Sequence, residues 1–179
     1  MHPRTQSLLR YLDDQHELLR RAVESIPPER REARPANDRW SVAEILEHIA
    51  IAEARIEQLF TSQVAEARAR GHGADQLQLP DLSPWDRSVV LDRSRRVTSR
   101  EAVRPSGTLD AASAWAAAER SFESFRNAVA ASDGIPLGQI VQPHPVFGPM
   151  NLYGWVEFVA GHEARHAAQI LEASAVNSK

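Results

Sequence analysis

The chain has 179 residues, 42% of them apolar and 25% charged, with a formal net charge of −3 and no cysteine. That length carries one domain with a full hydrophobic core; the mild negative balance speaks against nucleic-acid binding, which needs a basic surface, and the lack of cysteine excludes disulfides, thiolate metal sites and cysteine nucleophiles. No stretch approaches the ~20 apolar residues that cross a bilayer, and Met1-His2-Pro3-Arg4 leads into a polar helical pattern without an apolar signal region, so a cytoplasmic location with no membrane partner is expected.

Four segments carry helical periodicity. The first spans about 5–25, with Leu8, Leu9, Leu12, Leu19 and Val23 on one stripe, and Pro27-Pro28 stops it. The second spans about 41–70. Ser41 with Glu44 three residues on forms a capping box, and Ile45, Ile49, Ala52, Ile56, Leu59 and Phe60 make the stripe up to Gly71-His72-Gly73. A connection over 71–107 follows, unusually long for a compact domain. It contains Arg93, Arg95, Arg96, Arg100 and Arg104, which read as a solvated loop, with an anion contact as the alternative. The third helix spans about 109–131, with Thr108 as N-cap and Ala112, Trp115, Phe122, Phe125 and Val129 buried; Glu119 is a candidate inward-facing acid. After a Gly/Pro-rich link the fourth spans about 151–173, with Leu152, Trp155, Val156, Val159 and Ile170 inside. No strand series or internal repeat stands out. The expectation is all-α: a single four-helix bundle whose long second connection leaves room for a crossover.

His162 and His166 stand four residues apart on the fourth helix, so their rings leave the same face in adjacent turns. They continue the apolar row from Trp155 and Val159 to Ile170. His48 lies on the inner stripe of the second helix. Three imidazoles from two helices make a site for one divalent transition metal: zinc first, with nickel or iron as alternatives. Three ligands leave a position open for chemistry. Taken one at a time, a core histidine is more often a packed, hydrogen-bonded residue. His16, between Leu12 and Leu19 on the first helix, reads as packing or support, with acid–base chemistry as the alternative. Gln169, one turn beyond His166, is a candidate to hydrogen-bond a ligand or another helix. His2, His72 and His144 are set aside by position, at a terminus, in a glycine turn and between prolines.

Residues 162–166 also spell His-Glu-Ala-Arg-His, the H-E-x-x-H of zinc proteases, in which the glutamate is general base. The extension does not follow, because Gln169 and Glu172 stand where glycine and histidine belong. Glu163 is turned ~100° from His162 around the helix and reads as a surface residue, with a place beside the site as the alternative.

Trp40-Ser41-Val42-Ala43-Glu44-Ile45-Leu46-Glu47-His48 resembles the W-S-x-x-E-x-x-x-H element of the DinB-like superfamily. The stretch from His144 to Ile170, opening His-Pro-x-Phe-Gly-Pro and closing His-x-x-x-His-x-x-Gln-Ile, resembles that family's last helix. The resemblance implies a DinB/YfiT-type bundle with metal ligands at His48, His162 and His166, and a homodimer, common in the family. Relatives include transferases and isomerases that use low-molecular-weight thiols, and others have been labelled metal-dependent hydrolases. The expected function is therefore a metal-dependent enzyme acting on a small molecule, first a thiol S-transferase. A hydrolase and a non-catalytic, metal-stabilised binding or stress-response module are the alternatives.

Overall fold

A computed structural model of the chain describes residues 1–73, 77–94 and 98–176, with side chains as far as Ala173. Four long helices dominate: α1 (Pro3–Glu24), α2 (Val42–Ala69), α4 (Ala111–Ala131) and α5 (Leu152–Val176), with the one-turn helix α3 (Ser88–Leu91) in the long connection. A hairpin of β1 (Val141–His144) and β2 (Gly148–Asn151), antiparallel with Val141 opposite Asn151, precedes α5. Periodicity had no hold on this hairpin because each strand has only four residues and Pro143 pairs with Pro149.

Helix starts follow local chemistry. In α2 the capping box is present as read: the Ser41 hydroxyl accepts from Glu44 N, and the Glu44 carboxylate accepts from Ser41 N. In α1 the cap is His2, so the helix begins at Pro3 rather than near residue 5. In α4 the cap is Asp110, accepting from Ser113 N at 2.7 Å, and not Thr108, whose backbone N–H is taken by Ser106 Oγ. Ala112 falls in this exposed first turn and is not buried, whereas Phe122, Phe125 and Val129 are.

The core divides into two apolar clusters. One holds Leu12, Phe60, Phe125, Met150 and Val156; the other holds Leu19, Ile45, Ile49, Ala118 and Ile170. Chain direction follows from which cluster each helix meets first. α1 and α5 run from the first cluster to the second, and α2 and α4 run from the second to the first. α1 lies along α5 and α2 along α4, so neighbours in these two pairs are parallel and the order is up-down-down-up. Two consecutive "down" helices require the chain to travel the length of the bundle between them. The long 71–107 connection is that crossover.

The crossover runs against α5. Val90 is buried over Gly161, where any Cβ would press into the Val90 Cγ1 methyl, and at Gly154 a Cβ would meet Trp85 Cβ at 2.9 Å. Glycine at these two places lets a second segment lie directly on a helix. Arg93 donates to the Arg165 carbonyl at 2.9 Å and pairs with Glu172; Arg165 donates to the carbonyls of Val90 and Asp92. Arg93 is thus a half-buried fastening rather than a solvated loop residue, while Arg100 and Arg104 are exposed; Arg95 and Arg96 lie outside the described residues. Among the described residues no helix is long and apolar enough to cross a membrane.

Candidate metal centre

His48 stands in the second turn of α2, and His162 and His166 in adjacent turns of α5. Their donor nitrogens all lie within 4.8 Å of one another, so the three residues can hold a metal ion. Nε2 of His162 is 3.2 Å from Nε2 of His48 and 3.0 Å from Nε2 of His166. The sequence placed these three rings at one point, and they meet there.

The far side of each outer ring is fixed. Nδ1–H of His48 donates to the Val103 carbonyl at 2.6 Å, and Nδ1–H of His166 donates to Gln169 Oε1 at 2.9 Å. A proton held on Nδ1 leaves the Nε2 lone pair free, and both lone pairs face His162 Nε2. One nitrogen of His162 cannot donate to both. The arrangement therefore lacks positive charge at its centre, which a divalent ion supplies; the donor set and the carbonyl-oriented tautomers fit such an ion.

Burial acts in the same direction. It pushes the proton affinity of His48 down, against a smaller opposing effect of the Val103 hydrogen bond. Burial, then the neighbouring imidazoles, hold His162 well below its usual range, and burial chiefly lowers His166 to about 3. All three are neutral near pH 7, the ligating form. Phe158 stacks on His162 with centroids 5.4 Å apart, and Trp40 lies 4.9 Å from His48.

The W-S-x-x-E-x-x-x-H element now has a physical reading. Ser41 and Glu44 start α2, Arg34 adds a hydrogen-bonded ion pair to Glu44, Trp40 covers the His48 ring, and His48 points at α5. Glu47, one residue before His48, was not singled out from sequence. Its buried carboxylate accepts from Ser106 N at 2.9 Å, Ser106 Oγ at 2.6 Å and Gly107 N at 3.0 Å. Burial opposes its ionisation, but these hydrogen bonds outweigh that and hold its pKa below the usual carboxylate value. It thus fastens the end of the crossover beside Val103. A backbone carbonyl such as that of Val103 carries no sequence signal.

Glu163 is a correction. It is 0% exposed, not a surface residue, because the 100° turn from His162 aims it at the centre of the bundle. It accepts a 2.8 Å hydrogen bond from His16 Nδ1 and faces Glu53 of α2, which in turn accepts from Ser121 Oγ of α4 at 2.8 Å. Each of the four long helices gives one residue to this polar layer, and the layer separates the two apolar clusters: His16 between Leu12 and Leu19, Glu53 between Ile49 and Ile56, Ser121 between Ala118 and Phe122, Glu163 between Ala160 and Ala167. Burial raises both carboxyls, Glu163 to about 8, and their mutual charge raises Glu53 further. Glu53 Oε1 and Glu163 Oε2 are satisfied when the two groups share a proton. His16 stacks on Phe122 with centroids 3.8 Å apart, so it supports the layer from α1 and does not join the three-histidine cluster. Gln169 Oε1 accepts from His166 Nδ1, and among the described residues no hydrogen bond joins it to another helix. Glu119 does not face inward; it is half exposed and pairs with Arg20 at 3.7 Å.

His144, set aside on sequence, is buried at 9% exposure against Trp155 and Phe158, which carry the α5 row toward His162. A histidine between prolines reads as loop until the hairpin is seen to turn it inward.

The comparisons with known proteins agree with this architecture. The family model described as the DinB superfamily matches residues 11–170. An uncharacterized protein of Bacillus subtilis (strain 168), YuaE, is 22% identical over 153 residues, which span 84% of this chain and 86% of that protein. The crystal structure of TT2238, described as a four-helix bundle protein, superposes with a TM-score of 0.60 at 18% identity, covering 98% of this chain and 99% of that one. The chain belongs to the DinB superfamily.

Proposed function

We propose that this protein is a metal-dependent enzyme, and first a transferase that joins a small thiol cosubstrate to an electrophilic acceptor, with His48, His162 and His166 holding one zinc ion. The observation that carries the reading is the convergence of three Nε2 atoms whose outer partners are turned by Val103 and Gln169. A divalent ion so held supplies an electrophilic centre that favours the anionic form of a thiol.

The chain itself does the rest. Val103 and Gln169 hold the tautomers, burial keeps the imidazoles free of protons, and Phe158, in contact with Trp85 of the crossover, stacks on His162. The chain has no cysteine of its own to supply a thiolate, which accords with a thiol that arrives from outside.

Metal analysis and an activity screen test the proposal together. The purified protein is expected to hold one zinc per chain and to lose it in His166→Ala. Incubated with small thiols and an alkylating acceptor, it is expected to form the thioether and to stop when a chelator removes the metal. Activity that survives the chelator contradicts the metal reading. Metal-dependent hydrolysis without thiol consumption leaves the centre standing and replaces the transferase by a hydrolase.

A further inference from the structure

Helix α5 carries two of the three histidines but has no single inner face. Tyr153, Val156, Phe158, Val159 and Ala160 point in different directions around the helix and are all buried, and the crossover covers the side at Gly161. Apolar burial is non-directional, so it holds α5 in the bundle without closely setting the rotation of the helix about its own axis. That rotation matters to the site. A turn of ~20° moves a side-chain atom ~6 Å from the axis by about 2 Å, whereas ligand distances in a metal site hold to about 0.2 Å. The two helices that meet at the site also pack mainly elsewhere, α5 along α1 and α2 along α4.

Glu163 supplies the missing direction. It follows His162 in the chain, is fully buried, and its Oε1 lies 2.8 Å from Nδ1 of His16 on α1. Glu53, equally buried, stands on α2 ~7.5 Å along the helix from His48. Ser121 of α4 donates to it at 2.8 Å. Glu53 Oε1 and Glu163 Oε2 have no hydrogen-bond donor among the described residues other than a proton shared between the two carboxyls. Buried polar groups tolerate only the arrangement that keeps their hydrogen bonds. A slip of α5 by one residue, or a rotation of tens of degrees, takes Glu163 away from His16 and leaves both buried without partners.

Resting on the metal-centre reading above, we propose that Glu163, held by His16 and set against Glu53, is a positioning residue for the three-histidine site: the buried layer fixes the rotation of α5, and with it the aim of His162 and His166 at His48, at a cost in stability. Glu163 is not one of the three histidines' group and acts through the helix that it shares with two of them. The cost follows from burying three ionisable side chains where apolar residues of the same size would pack without any need for partners.

Three measurements on the full-length protein test this: zinc affinity against a competing chelator, the visible absorption of the cobalt(II)-loaded form, which reports ligand geometry, and urea unfolding of the metal-free form. The triple variant His16→Phe, Glu53→Met, Glu163→Met replaces the layer by apolar side chains of similar size, while the Ser121 hydroxyl keeps the Ala118 carbonyl. It is expected to unfold at an equal or higher urea concentration than the wild type, to bind zinc about tenfold or more weakly and to show an altered cobalt spectrum. Glu163→Met alone is expected to weaken zinc in the same way. Glu163→Gln keeps an acceptor for His16 without a charge and is expected to restore the wild-type affinity and spectrum, which a loss of charge beside the metal does not allow. A triple variant with wild-type affinity and spectrum shows that the apolar core aims the helix unaided and overturns the proposal. So does a triple variant that is less stable or does not fold, because the layer then holds the bundle together rather than orienting it. Glutamine as weak as methionine assigns the effect to charge and overturns it too. A wild-type protein that takes up neither metal overturns the metal-centre reading and this proposal with it; one that takes up both and is indifferent to the layer overturns this proposal alone.

Discussion

The carbonyl of Val103 accepts a 2.6 Å hydrogen bond from Nδ1 of His48, a residue 55 positions earlier in the chain. The contact ties the crossover to a candidate ligand, so the segment that completes the bundle's topology also sets the tautomer of the site. Glu47 secures it by binding Ser106 and Gly107. Removing that anchor by Glu47→Ala is expected to leave helical content intact and weaken zinc about tenfold or more, as loss of an orienting partner does in metal sites. Zinc titration against a competing chelator reads it; an unchanged affinity separates the crossover from the site.

The packing of Val90 over Gly161 makes a second prediction. Glycine to alanine inside a helix is ordinarily stabilising by about 0.5–1 kcal/mol. Here the added methyl strikes Val90, so Gly161→Ala is expected to reverse the sign and cost about 1–3 kcal/mol, as overpacking does. Urea denaturation distinguishes the two. A more stable variant shows that the crossover yields without cost.

The neutral, buried His144 makes stability depend on pH. Its folded pKa is lowered to about 4 from a usual 6.5, so below 6.5 the unfolded chain takes the proton and the folded chain does not. Its contribution is fully present above pH 6.5 and is lost as pH falls toward 4, by about 2 kcal/mol between pH 7 and pH 5. In the metal-free protein, His144→Asn is expected to lose less stability than the wild type over that interval by about this amount. Urea midpoints at the two pH values check it, and parallel losses in the two proteins contradict it.

The buried layer responds differently to removal of charge and removal of volume. Glu53→Gln keeps an acceptor for Ser121 and cannot ionise beside Glu163, so at pH 8 it is expected to equal or exceed the wild type in stability. Glu53→Ala leaves Glu163 without its partner and opens a cavity, while the Ser121 hydroxyl keeps the Ala118 carbonyl, at a cost of about 2–4 kcal/mol. Thermal unfolding ranks the three. A glutamine variant as unstable as the alanine variant shows that the charge itself is needed.

The long helices and the His162–His166 pair were legible because both rest on short-range spacing. Leu12, Leu19 and Val23 mark an inner stripe without reference to anything distant. An i, i+4 histidine pair inside such a stripe sets two imidazoles where buried polar groups must find a partner. The polar layer was only half legible. His16 shows as a histidine on an apolar face, but Glu163 beside His162 looks like the outside of its helix until the opposite side proves to be interior as well. Helix α5 is enclosed on one side by α1 and on another by α2 and the crossover, so a single stripe does not describe it. The hairpin, the Val103 carbonyl and the inward turn of His144 were out of reach, since they depend on backbone groups and on pairing between residues whose side chains announce nothing.

The central claim is that three imidazole nitrogens share one metal ion. X-ray absorption on the zinc-loaded protein measures that directly. The account predicts one zinc per chain with three imidazole ligands at about 2.0–2.1 Å, falling to two in His48→Ala. Zinc without imidazole scattering, or an identical spectrum when His48 is removed, would contradict it.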